Sequence, residues 1–154
     1  WEIIFALTIA ALLRAVTVWI CILGVSLFFT GVSVHSFLVL AYFMVMVSLL
    51  FAFAGIATGL WAGNFDQMNI FSTFIITPLT YLGGVFYSIT MLPPFWQNIA
   101  KFNPILYMVD GFRYGFLGFS DISVWISMLL VFGLALFFFV LCVQLFKKGY
   151  KLRT

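Results

Sequence analysis

The sequence predicts an all-α integral membrane protein, and two observations carry that class. Of 154 residues, 66% are hydrophobic and only 7% charged, with a mean hydropathy of +1.25. A folded soluble monomer carries roughly 25% charged residues, so lipid must be the solvent for most of this chain. The apolar residues also fall into long runs. A helix rising about 1.5 Å per residue needs about 20 of them to cross roughly 30 Å of hydrocarbon.

Four runs meet that length and are predicted as spans: one within Ile3 to Val32, then about Phe37 to Trp61, about Ile70 to Met91 and about Ile122 to Phe146. The breaks are "SVHS" (33–36), "GNFDQMN" (63–69) and a long polar stretch that begins near residue 91. The closing "KKGYKLRT" places Lys147, Lys148, Lys151 and Arg153 just past the fourth run. Cytoplasmic flanks are enriched in Lys and Arg, so this end is expected in the cytoplasm. Counting back puts Trp1 and the 63–69 loop inside, with the 33–36 turn and the 92–120 segment outside. The length fits one domain. The chain opens on Trp1 rather than a methionine and shows no leader, which leads us to expect the back part of a longer protein. Residues 1–154 then form one partial transmembrane domain.

The first span contains Arg14, which is costly at a bilayer centre. If the hydrocarbon begins near Ala15, Arg14 snorkels at the inner interface and Glu2 belongs to a cytoplasmic extension of the helix. The second span ends "AGIATGLWAG", which sets Gly55, Gly59 and Gly63 four residues apart on one face. Small residues at that spacing let membrane helices approach closely, so these three are predicted as a packing contact, either inside one subunit or at a dimer seam. In the third span Pro78 removes a backbone donor and crowds the carbonyl of Phe74. Gly83 and Gly84 weaken the helix further on, and Thr73, Thr77 and Thr80 are suited to satisfy freed groups. Two readings stay open here: a static kink, or a bend that lines a passage.

The stretch "MLPPFWQNIAKFNPILYMVDGFR" (91–113) holds three of the four prolines. Pro93 and Pro94 fit the first turn of a helix, and the following residues place Phe95, Ile99 and Phe102 on one face. About ten residues are too few to span, and the aromatic face suits the membrane interface. Asn103 is a good N-cap and Pro104 a good first residue for a second helix, Ile105 to about Leu117. Asp110 and Arg113, three apart on it, have the spacing of an ion pair, while Ser120 or Asp121 caps the next span. The segment is thus two short extracytoplasmic or re-entrant helices before the last span.

Catalytic chemistry has little to stand on. There is no GxxxxGK[ST] phosphate loop, no nucleophile elbow and no clear acid–base pair. His35 lacks metal-ligating neighbours in sequence, and Cys21 and Cys142 read as packing residues. No cofactor, metal or nucleic-acid partner is expected.

The block "TPLTYLGGVFYSITMLPPFWQNIAKFNPILYMVDGFRYGFLG" (77–118) resembles the C-terminal signature of ABC-2 type transporter permeases, especially those of bacterial inner membranes. The resemblance extends from the first span to the basic tail. It implies six transmembrane helices in a full chain, a dimer of permease chains that is expected to be a homodimer, and two cytoplasmic ATP-binding subunits that drive export. It implies a coupling helix ahead of the first span seen here, so that Trp1 and Glu2 fall at a junction next to the ATP-binding subunit. It further implies that Pro93 to Gly118 closes the outer end of the pathway. Two other classes are weighed against a transport subunit: a membrane-embedded lipid-modifying enzyme, which would need a catalytic cluster, and a non-transporting anchor or assembly protein, which would leave the broken third span without a role.

Overall fold

Apolar residues around the whole circumference, rather than along one stripe, mark the longest helices and leave lipid as their surroundings. The computed structural model describes residues 2–30 and 34–147. Along the chain run α1 (Glu2–Thr30), α2 (Phe37–Trp61), α3 (Phe65–Ile70), a π-helical turn (Phe71–Ile76), α4 (Thr77–Leu82), a 3-10 turn (Ile89–Met91), α5 (Pro94–Lys101), α6 (Pro104–Leu117) and α7 (Val124–Lys147). No strand occurs among the described residues. Among the described residues three helices are long and apolar enough to cross a membrane: α1, through Ile4–Ser26, α2 and α7. Trp1 and the tail beyond Lys147 lie outside the described residues.

The core forms where α2, α6 and α7 meet, around Phe43, Leu50, Met108, Val131 and Ala135. A second cluster, Ile4, Phe53, Ala57 and Cys142, joins the start of α1 to the far ends of α2 and α7. Side-chain bonds tie α2 to α7: the Tyr42 hydroxyl donates to the Met128 carbonyl at 3.0 Å and the Cys142 thiol to the Phe53 carbonyl at 3.0 Å. Hydroxyls inside the apolar helices turn back on their own backbones. Thr8, Thr17, Ser48 and Thr58 each donate to the carbonyl four residues earlier, which hides a polar group inside an apolar helix.

The third run differs from its sequence reading. Helix begins at Phe65, not near Ile70, and ends at Leu82 rather than near Met91. The two glycines explain the early stop. Gly83 N–H bonds back to the Thr80 carbonyl at 3.1 Å, and Gly84 adopts φ +74°, a left-handed conformation that favours glycine. The π turn has its cause in Pro78. With no N–H to give and a ring that crowds the carbonyl of Phe74, proline is accommodated by a wider turn. Thr77 completes it, donating to the Ser72 carbonyl through both its backbone N–H and its hydroxyl. Thr80 donates to the Ile76 carbonyl.

Arg14 also sits elsewhere than expected. Leu7 of α1 lines one groove with Gly59 and Leu60 of α2, while Arg14 lines the next with Ser48 and Phe51. The helices run antiparallel, so Arg14 lies level with the middle of α2 and not with its end.

Candidate functional site

Arg113, on the penultimate turn of α6, gathers three distant parts of the chain. Its Nη1 donates to Asp121 Oδ2 at 2.7 Å, and its Nη2 donates to the carbonyls of Gly84 at 2.7 Å and Tyr87 at 3.3 Å. Those carbonyls are open to it because the turn at Gly83 and Gly84 has left the helical pattern. Asp121 in turn accepts from the Ser88 hydroxyl at 2.6 Å and from the Ile89 N–H at 3.1 Å. Asp110, 1% exposed, accepts from the backbone N–H groups of Asp121 at 2.7 Å and Ile122 at 3.2 Å. The turn after α4, the body of α6 and the lead-in to α7 are thereby fastened at one polar centre.

Arg113 keeps the expected ion pair with Asp110 and adds a closer one. Its nearest Asp110 oxygen is at 4.0 Å, against 2.7 Å for Asp121. Asp110 spends its acceptors on backbone donors that precede α7, because its short side chain points along α6 toward that lead-in. Asp121, expected as a helix cap, is the closer counter-charge. Burial alone would raise the Asp121 carboxyl, but Ser88, the Ile89 N–H and Arg113 outweigh it and hold the group below the ordinary range. For Asp110 burial dominates, the two backbone donors offset it only in part, and the carboxyl is raised.

Asn103 makes a second fastening. Its Oδ1 accepts from the Ile105 N–H at 3.0 Å, capping α6, with Pro104 in the first turn. Its Nδ2 donates to the Leu79 carbonyl at 2.6 Å, one of the acceptors that the end of α4 leaves unpaired. Pro93 stands at the N-cap of α5, whose apolar face stays open: Phe95 and Phe102 are exposed while Ala100 is buried. The far end of α6 is held too. The His35 and Ser36 N–H groups donate to the Gly115 carbonyl at 3.1 and 3.0 Å.

The glycines divide differently from the sequence pattern. A Cβ on Gly55 would meet nothing within 4 Å, one on Gly59 would touch only the end of Met68, and Gly63 lies past the end of α2. The close approach lies instead at Gly111 and Gly115, four apart on α6, where a Cβ would run into the Phe43 ring and meet Leu40. The same spacing signal stands in "GFRYG" (111–115). Glu2 is exposed in the first turn of α1, and Trp1 lies outside the described residues. Among the described residues no group of three or more His, Cys, Asp or Glu could hold a metal ion.

Apolar spanning helices, a proline-broken third helix and two short helices clamped to its end define a membrane-domain architecture. The chain belongs to the ABC-2 type transporter family, whose profile matches residues 1–117. It is 46% identical over 143 residues to the inner membrane transport permease YadH of Escherichia coli strain K12, a match covering 92% of this chain and 55% of that protein. The Shigella flexneri protein of the same name matches equally. Nodulation protein J of Rhizobium leguminosarum bv. viciae is 32% identical over 73 residues, covering 47% of this chain and 28% of that one. The chain thus spans about half the length of the YadH permeases it matches. No solved structure matches it.

Proposed function

We propose that this chain is the C-terminal part of the permease subunit of an ATP-binding cassette exporter, a multi-pass protein of the bacterial inner membrane and not itself an enzyme. The observation that carries the reading is the clamp of Arg113, Asp121 and Asn103 on the end of the broken helix. It gives α5 and α6 a fixed place over the end of α4, where two unattached interfacial helices would need none. Residues 65–82 are read as a fourth span beside α1, α2 and α7. Eighteen helical residues rise about 27 Å, and their exposed apolar side chains, such as Phe74 and Tyr81, suit lipid or a neighbouring chain. Both ends of the chain then face the cytoplasm, and α5 and α6 lie at the outer side as the closure of a pathway. Pro78, Gly83 and Gly84 form the bend beneath that closure.

A cytoplasmic ATP-binding subunit supplies the energy, with Trp1 and Glu2 near its contact, and a second permease copy completes the pathway within membrane lipid. Family membership supports both partners. The test is topology and energy together, made on the full-length protein. A single cysteine at Gln97 or Asn98 should react with a membrane-impermeant maleimide from the periplasm, and one at Lys151 should not. The purified permease should hydrolyse ATP only with its separate partner subunit. Reversed labelling, or robust hydrolysis by the permease alone, would refute the proposal.

A further inference from the structure

The strongest unexplained charge among the described residues is Arg14. It makes no hydrogen bond or ion pair with any described residue, yet it lines a cleft of about 420 Å³ between α1 and α2 with Trp19 and Ser48. That cleft continues into a second groove of about 480 Å³, which shares its Ala11, Phe51 and Ala52 wall and is almost wholly apolar beyond them. Phe51 is ten residues from Trp61 at the end of α2, or about 15 Å along the helix, close to half the hydrocarbon thickness. A cation at such depth is costly unless an anion or water meets it.

We propose that this cleft is a binding site for an anionic amphiphile in transit, Arg14 taking its carboxylate or phosphate and the adjoining groove its apolar chain. Charge complementarity requires the anion, and the continuous apolar wall requires the tail. Depth selects the source. A resident phospholipid keeps its headgroup at the interface, so an acidic group reaches the level of Phe51 only on a molecule being carried across. The inference rests on the transport reading above. It adds to it a class of cargo, acidic amphiphiles, and a residue that recognises it.

The test uses the full-length permease with its ATP-binding subunit in phosphatidylcholine nanodiscs, with every tryptophan except Trp19 replaced by phenylalanine. Dibromostearate, ionised at the working pH, and its uncharged methyl ester are compared as quenchers of Trp19. The carboxylate should bind at least about tenfold more tightly than the ester, the factor that about 1.4 kcal/mol of charge-assisted bonding supplies. Arg14→Gln should abolish that preference, Arg14→Lys should restore part of it, and phosphatidylglycerol in the nanodisc should not displace the probe. Equal binding of acid and ester, or an unchanged preference in Arg14→Gln, overturns the site; the former is also what an acidic side chain elsewhere in the full chain would produce by occupying Arg14. Displacement by phosphatidylglycerol overturns it in favour of a resident lipid. If both variants fail to assemble, the acid-to-ester comparison in the protein with Arg14 intact still decides. Binding is read without ATP turnover, so an inactive complex would count against the transport reading alone, and transport without acid preference against the site alone.

Discussion

Replacing Arg113 with methionine keeps most of the side-chain volume and removes the charge that fastens three segments. The remaining Asp121 carboxylate, 11% exposed, would be left with Ser88 and the Ile89 N–H, and the Gly84 and Tyr87 carbonyls would lose their donor. A hydrogen bond to a charged group contributes about 1.5–3 kcal/mol net, and stranding one partner of a fully buried pair costs about 3–5 kcal/mol. Residual exposure discounts the second figure, so Arg113→Met should cost about 3 kcal/mol. The informative quantity is the coupling in a double-mutant cycle. Arg113→Met with Asp121→Asn should show about 1.5–2 kcal/mol of coupling, because the 2.7 Å bond is direct. Arg113→Met with Asp110→Asn should show under about 1 kcal/mol, because 4.0 Å leaves only a screened attraction. Thermal melting of the detergent-solubilised full-length protein can read this, at about 2–4 °C per kcal/mol for chains of this size class. Coupling to Asp110 equal to or above that to Asp121 would refute the assignment of the counter-charge, and with it the three-way clamp.

Other outcomes follow from the same geometry. Asn103→Ala should lower the melting temperature by the equivalent of about 1–3 kcal/mol through loss of a cap and a buried bond. Asn103→Asp should keep the cap yet still destabilise, because the Leu79 carbonyl loses its donor; a variant as stable as the parent would contradict the second bond. Gly111→Ala should cost about 1–3 kcal/mol by overpacking against Phe43, and Phe43→Leu in the same chain should recover part of it; a neutral Gly111→Ala would mean the helices are not in close contact. The two aspartates should act oppositely with pH. The Asp121 carboxyl is held below its ordinary value of 3.8, so its contribution is present above that value and is lost as pH falls through the depressed one. The Asp110 carboxyl is raised, so its protonated form favours the fold and that contribution fades as pH rises through the raised value. Melting profiles of Asp121→Asn and Asp110→Asn should each lose one of these slopes.

Composition and run length are enough to read the helical class, the ends of α2 and α7 within about two residues, and the restart of helix at Asn103 and Pro104. Those features depend on local chemistry: lipid-compatible runs, caps and proline. The counter-charge is not legible in the sequence, because Arg113 meets Asp121 only after α6 has turned the chain back toward the start of α7. Sequence spacing favours Asp110, three residues away. The third run departs from its reading at both ends for a related reason. Hydropathy averages over Gly83 and Gly84, while the backbone responds to them individually. The close approach on α6 is not read from spacing, since spacing alone does not say which face another helix covers; Phe43 and Leu40 cover Gly111 and Gly115.

Residues 65–82 contribute no buried side chain among those described, whereas α2, α6 and α7 share a core whose members Phe43 and Val131 are fully enclosed. The consequence is an uneven stiffness. Shifting this helix sideways opens no cavity in the core, so the restoring force resides in a few polar bonds at one end, through Leu79, Gly84 and Ser88. A load applied at residues 62–64, ahead of α3, is therefore transmitted along the helix as along a strut, past a wide turn that can yield, and is delivered at α6. Because α6 is held at its other end by the 35–36 turn and shares the packed interior with α2 and α7, the same load enters the core through α6.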